Sequence, residues 1–280
     1  MRVGVIVVVG LAFGVLIVGW LVGRRVVDRR AQEALIVPAP LGTRTPEDVG
    51  IPYEAFPITS DGRVLHAWLV RAPDSVTPRR AVLLFHGNRT ALSDQVGLQQ
   101  VLYGRGISSM AFDYSGFGRS SGEPTADHLR EDAAAAYRAF VGVVGADAQK
   151  FVLGASLGAA VLLDAVHDVQ LGTDGVILVG TFASARETAV REGKVPRLLA
   201  FLLPNRYDNV RAVRALRRPL LVVHAADDEL FPIADAEALV AAAGSTATLV
   251  RLDSTAHDQY LTRSEHWEPV VAFIERWGGR

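Results

Sequence analysis

The chain has 280 residues, half of them hydrophobic, with a formal net charge of −1 and no cysteine. The near-neutral balance provides no global basic field for nucleic acid. The lack of cysteine excludes disulfides, thiolate metal sites, a cysteine nucleophile and a lipidated cysteine.

Residues 3–23 form an uncharged apolar run of 21 residues. As a helix it would extend roughly 30 Å, about the thickness of a bilayer's hydrocarbon core. It is longer than the apolar region of a secretory signal, and no Ala-x-Ala site follows it. The run therefore predicts a retained single-pass transmembrane helix, with residues 1–30 as the membrane anchor. Arg24, Arg25, Arg29 and Arg30 follow the run against Asp28. Read literally, the positive-inside rule places the rest of the chain on the cytoplasmic side. Gly10-x-x-x-Gly14 and Gly19-x-x-x-Gly23 have the spacing of a helix-packing face, although glycine is common in spans generally.

Residues 31–53, rich in Pro and Gly, read as a linker with little structure of its own. Residues 54–280 then alternate strand and helix signals. Arg63–Val70 is a strand candidate. Arg80–Phe85 is a short apolar strand ending at His86-Gly87-Asn88. A strand over 108–113 runs into Tyr114-Ser115-Gly116-Phe117-Gly118. A helix covers 125–141, with Thr125 as its N-cap and Asp127 in its first turn. A strand at 151–153 enters Gly154-Ala155-Ser156-Leu157-Gly158 and a further helix. Strands follow at Gly175–Val179, 220–223 and 248–252, and an amphipathic helix over 265–277 closes the chain. Such alternation predicts a mostly parallel sheet with helices on both faces. Ligands bind such folds beyond the carboxyl ends of the strands, where the polar motifs fall. Segment 183–218 breaks the rhythm, being helical and basic with the apolar patch Leu198-Leu199-Ala200-Phe201-Leu202-Leu203. It reads either as a small helical cap or as an ordinary crossover helix with a long loop.

Gly154-Ala155-Ser156-Leu157-Gly158 is the strongest signal. A serine projecting from a strand-to-helix turn needs a very sharp bend, which crowds the positions two before and two after it. At a helix start, the Leu157 N–H is placed for a developing oxyanion. A serine hydroxyl needs a base, and the base needs an orienting carboxylate. In this kind of fold they come in the order serine, acid, histidine. Asp227, Asp228 and Glu229 compete as the acid, with Asp228 preferred for its place four residues before Pro232. His257 and His266 compete as the base. His257 follows a strand, whereas His266 is expected on the surface of the last helix. The Asn88 N–H is the candidate second oxyanion donor, against an ordinary turn holding a buried His86.

At these residues the chain resembles the α/β-hydrolase superfamily, in particular its serine aminopeptidase-like and acyl-protein thioesterase-like branch. The resemblance covers most of the chain after residue 55. It is carried by His86-Gly87-Asn88, by Asp113-Tyr114-Ser115-Gly116-Phe117-Gly118-Arg119-Ser120-Ser121-Gly122, by the elbow 154–158, and by the acid motif aligned on Asp228 and Pro232. It implies a cofactor-free, metal-free esterase, thioesterase or amidase with Ser156, Asp228 and His257 as triad. It also implies that Asp113 and its Gly/Ser run are structural. Ala225 stands where relatives have glycine, and Arg89-Thr90 where they often have small residues. A small-molecule or lipid-like acyl substrate, a membrane reached through residues 3–23 and no nucleic acid are the expected partners. A membrane-anchored, non-catalytic binding module of the same fold is the rival expectation.

Overall fold

The computed structural model describes residues 36–278 apart from 40, 74, 78, 204, 254, 261 and 262, together with Trp20 and Gly23. Apart from those two positions, the expected anchor lies outside the described residues. Among the described residues no helix is long and apolar enough to cross a membrane.

Eight strands form one sheet: β1 (Glu54–Ser60), β2 (Arg63–Val70), β3 (Arg80–Phe85), β4 (Ile107–Phe112), β5 (Gln149–Ala155), β6 (Gly175–Val179), β7 (Leu220–Ala225) and β8 (Ala247–Leu252). Their order is β1-β2-β4-β3-β5-β6-β7-β8. The β1–β2 and β2–β4 pairs are antiparallel and the other pairs are parallel. The chain moves from β3 outward to β4, then returns to β5 on the other side of β3. That reversal opens a crevice at the carboxyl ends of β3 and β5, the usual ligand position in open α/β sheets.

Helices α1 (Val96–Gly104), α2 (Ala126–Val144), α3 (Leu157–Asp164), α4 (Ala185–Arg191), α5 (Asn209–Ala215), α6 (Ile233–Ala243) and α7 (Glu268–Trp277) connect and cover the sheet. The pleat divides the strand side chains between two layers. Leu83 and Phe85 of β3 face the layer of α2, α3, α5 and α6, while Val82 and Leu84 face that of α1 and α7. Both layers bury apolar surface, which is why the central strands read as unbroken Val/Leu/Phe runs. Thr125 caps α2, its side chain accepting from the His128 N–H at 3.2 Å.

Two features depart from expectation. β1 was not legible as a strand because Pro57 interrupts it and its first residues are exposed. It lies at the sheet edge, where a residue without an N–H is tolerated. Part of the stretch read as a linker is packed: Ile36 and Ile51 are buried, and Pro46–Val49 forms a 3₁₀ turn.

Candidate active site

The turn from β5 into α3 puts Ser156 at φ 52° and ψ −117°. A left-handed non-glycine residue is strained by roughly 1–3 kcal/mol and persists only where its surroundings enforce it. Here the Ser156 N–H donates to the Val179 carbonyl at 2.9 Å, and the Thr181 hydroxyl donates to the Ser156 carbonyl at 3.0 Å. The flanking glycines are dictated by contact. A Cβ on Gly154 would lie 2.6 Å from Ala159 Cα, and one on Gly158 would lie 2.1 Å from the Phe85 carbonyl oxygen. Helix α3 is buried on every side through Leu163, so the elbow has no room to relax.

The three residues expected to act together form one hydrogen-bonded line. His257 Nε2 is 3.1 Å from Ser156 Oγ, and His257 Nδ1 is 2.9 Å from Asp228 Oδ2. A carboxylate only accepts, so Nδ1 carries its proton and Nε2 presents a lone pair to the serine hydroxyl. Asp228 Oδ1 accepts from the Leu230 and Phe231 N–H groups at 2.9 and 2.8 Å, leaving Oδ2 for the imidazole. Burial pushes the Asp228 carboxyl up. The bonds from His257, Phe231 and Leu230 outweigh this and hold it below the ordinary carboxylate value. Serine, imidazole and carboxylate so arranged can pass a proton away from the hydroxyl as it attacks.

The carboxylates that competed for the acid position take other partners. Asp227 accepts from the Thr255 N–H at 3.0 Å, and Glu229 accepts from the His257 N–H at 3.0 Å. Both therefore hold the loop that carries the base. His266 is not on the surface. It is buried in a 3₁₀ turn, Ser264–Trp267, ahead of the last helix, with Nε2 3.3 Å from Thr255 Oγ1. Its position is set by that turn rather than by helical periodicity, and it supports the base loop from beneath.

Leu157 follows the serine directly, and Asn88 belongs to the turn at 86–88. Leu157 is the first residue of α3, so its N–H has no acceptor within the helix. The turn at 86–88 abuts the elbow, with a Cβ on Gly87 falling 3.4 Å from both Ser156 Cβ and the Ala155 carbonyl oxygen. Thr90, one of the unusual residues here, donates its hydroxyl to the Gly87 carbonyl at 2.8 Å. His86 is wholly buried, and burial lowers its pKa to about 4.

Sequence reasoning gave no role to the rings around the base. Phe231 meets the His257 ring edge-on at 4.9 Å and Tyr260 at 6.0 Å. The Tyr260 hydroxyl accepts from the Ala225 N–H. The available signal was position, each ring standing three residues after the acid or the base. The motif beginning at Asp113 is a clamp. Asp113 accepts from the Leu92 N–H, Ser120 Oγ donates to the Asp113 carbonyl, and the His66 N–H donates to Ser120 Oγ.

Segment 183–218 divides in two. Helix α5 is the crossover into β7, with Val213 fully buried. The preceding excursion contains α4 and the 3₁₀ turn Arg197–Leu202, where Leu198 and Phe201 are 83% and 73% exposed. Its neck is pinched by an antiparallel bridge between Ser184 and Asp208. A cavity of about 390 Å³ beside the triad is lined by Arg191 and Glu192 of this excursion and by Asp228, Glu229, Leu230 and Pro232. Among the described residues no cluster of three His, Asp or Glu is placed to hold a metal ion.

Residues 76–212 match the family described as serine aminopeptidase, S33. An uncharacterized protein of Mycobacterium tuberculosis is 32% identical over 202 residues, covering 71% of this chain and 70% of the relative. The Arabidopsis thaliana α/β hydrolase domain-containing protein WAV2 is 26% identical over 254 residues, covering 83% of this chain and 82% of that protein. Among solved structures, the Pyrococcus furiosus esterase Pf2001 superposes with a TM-score of 0.71 at 19% identity. That alignment covers 87% of this chain and 100% of the esterase.

Proposed function

The chain belongs to the serine aminopeptidase, S33 family of α/β-hydrolases, and from that premise we propose that it cleaves an ester, thioester or amide bond through an acyl-enzyme on Ser156. The observation that carries this reading is the hydrogen-bonded line Ser156–His257–Asp228, at 3.1 and 2.9 Å, at the tip of a strained elbow. In the reaction, Ser156 Oγ bonds to the carbonyl carbon while its proton passes to His257 Nε2. Asp228 keeps the imidazole oriented and stabilises its charge. The N–H groups of Leu157 and Asn88 receive the oxyanion, a donor of this kind lowering the barrier by roughly 3 kcal/mol. The leaving group departs with the proton held by His257. Water then attacks the acyl-enzyme by the same path, giving the acid and restoring the serine. No metal or cofactor enters these steps.

The substrate is proposed to be a small molecule or lipid-like acyl compound. The exposed Leu198 and Phe201, on the excursion whose Arg191 and Glu192 line the cavity, and the apolar run 3–23 support that reading. The same run is proposed to anchor the protein in a membrane, with the hydrolase domain on the cytoplasmic side.

The test is labelling by a fluorophosphonate probe, wild type beside Ser156→Ala, followed by a panel of esters, thioesters and amides of increasing chain length. Labelling of wild type alone is expected. A folded wild type that takes no label would overturn the proposal and favour a non-catalytic binding module.

A further inference from the structure

The chain ahead of β1 reaches back to the oxyanion loop. Ile36 is buried in the core layer shared with α3. Its neighbour Val37 engages the loop after β3 with both of its backbone groups. The Val37 N–H donates to Asn88 Oδ1 at 2.6 Å, and the Val37 carbonyl accepts from the Arg89 N–H at 2.9 Å. Arg89 has φ 57°, a left-handed conformation that costs a non-glycine residue roughly 1–2 kcal/mol. The bond from its N–H to Val37 helps offset that cost. The peptide unit before it, joining Gly87 to Asn88, is held at the other end, where the Gly87 carbonyl accepts from the Thr90 hydroxyl at 2.8 Å. A peptide is planar, so fixing the carbonyl of Gly87 fixes the direction of the Asn88 N–H on the opposite side. The two adjoining peptides that set this donor are thus pinned by Thr90 and by Val37.

We propose that Val37 is a positioning residue for the oxyanion site: a strap on the anchor side of the hydrolase domain that holds the Asn88 N–H on target. The proposal rests on the reading of Asn88 as an oxyanion donor. It gives Thr90 of the unusual pair Arg89-Thr90 a role, because its hydroxyl fixes the Gly87 carbonyl; the bond at 89 is made by the backbone N–H and does not depend on the arginine side chain. Such donors act from about 2.7–3.1 Å of the oxyanion position, and a misplacement of about 1 Å costs on the order of 10²-fold in rate. The strap therefore affects turnover more than substrate binding.

The test uses the full chain with p-nitrophenyl butyrate and a fluorophosphonate. Val37→Pro removes the N–H that bonds Asn88, and Asn88→Ala removes the acceptor of the same bond while leaving the Asn88 backbone N–H in place. Each is expected to lower kcat by about 10- to 100-fold, with KM within about threefold and Tm within a few degrees of wild type. Fluorophosphonate labelling should slow in parallel. The double variant is expected to be no slower than the slower single variant, because both remove one bond. Val37→Ala keeps both backbone groups and should stay within about twofold of wild type. If Val37→Pro does not fold beside Pro38, Asn88→Ala decides alone. Wild-type kcat in Asn88→Ala, or additive losses in the double variant, overturns the strap while the serine-hydrolase reading stands. A wild type that neither labels nor turns over overturns both.

Discussion

Gly158→Ala perturbs the site without touching any triad side chain. The new Cβ would sit 2.1 Å from the Phe85 carbonyl oxygen and 2.5 Å from that of His86. These are backbone atoms at the end of β3 and cannot rotate away. The shortfall from ordinary contact exceeds 1 Å, so α3 and the 86–88 turn must separate by about that much. Overpacking of this kind costs about 1–3 kcal/mol, which for a domain of this size lowers Tm by about 2–12 °C. The separation also pulls the Leu157 and Asn88 N–H groups, the proposed oxyanion donors, apart. A displacement of about 1 Å costs on the order of 10²-fold in rate, or about 2.7 kcal/mol of barrier. Steady-state hydrolysis of a chromogenic ester and the rate of fluorophosphonate labelling should both fall by about that factor. Gly142→Ala is the control. It lies inside α2 with nothing within 4 Å of the added Cβ, so it should add up to about 1 kcal/mol of stability and leave activity unchanged. A folded Gly158→Ala protein with wild-type kcat/KM would refute the reasoning, because the crowding would then have been relieved without moving the donors.

Asp228→Asn should lower kcat by about 10³- to 10⁴-fold, since an amide no longer fixes the Nδ1–H tautomer of His257. Asp227→Asn keeps an oxygen for the Thr255 N–H and should stay within about threefold, so the reverse ranking in ester hydrolysis would move the acid to 227. The buried pair His86 and Asp113, 3.5 Å apart, gives a stability prediction. Burial raises Asp113 to about 6 and lowers His86 to about 4. The raised carboxyl contributes stability below its ordinary pKa and loses it as pH rises through about 6. The lowered imidazole contributes stability above its ordinary pKa and loses it as pH falls toward about 4. Between these limits the two oppose each other. Asp113→Asn leaves His86 alone, so its stability should fall by up to about 3 kcal/mol more than that of wild type between pH 6.5 and 4. Thermal melts across that range check it, and parallel Tm profiles for the two proteins would contradict it.

The central sheet and the elbow were legible because both are written in short, contiguous patterns. Apolar strands buried on two faces read as unbroken runs, and Gly154-Ala155-Ser156-Leu157-Gly158 carries its steric reason within five residues. Other features depend on partners distant in sequence. Between Asp227 and Asp228 the local signal was only the spacing to Pro232. The distinction is made by the turn in which Asp228 takes the Leu230 and Phe231 N–H groups, and by Thr255 taking Asp227 instead. Glu229, a competitor for the acid position, instead holds the His257 N–H, a contact that no local pattern marks. His266 was read as surface because a helical phase was assumed, and a 3₁₀ turn changes that phase. The bonds of the proposed strap were illegible because Val37 makes them with backbone groups 51 and 52 residues from their partners, and backbone groups leave no trace in residue identity. The clamp from Asp113 to Ser120 was legible only as a motif whose structural role the resemblance implied.

The bridge between Ser184 and Asp208 closes the excursion at its neck. Because the ends of residues 185–207 are tied to each other, changes in the length or composition of what lies between them need not be transmitted to β6 or β7. The proposed chemistry hangs from strand ends, whereas Arg191 and Glu192 of the excursion shape one wall of the cavity. Selectivity and chemistry are therefore separately inheritable in this architecture. Grafting a different excursion that keeps Arg206, paired with Asp127 and Asp164, and the buried Tyr207 would exchange that wall of the cavity while leaving the proposed machinery in place.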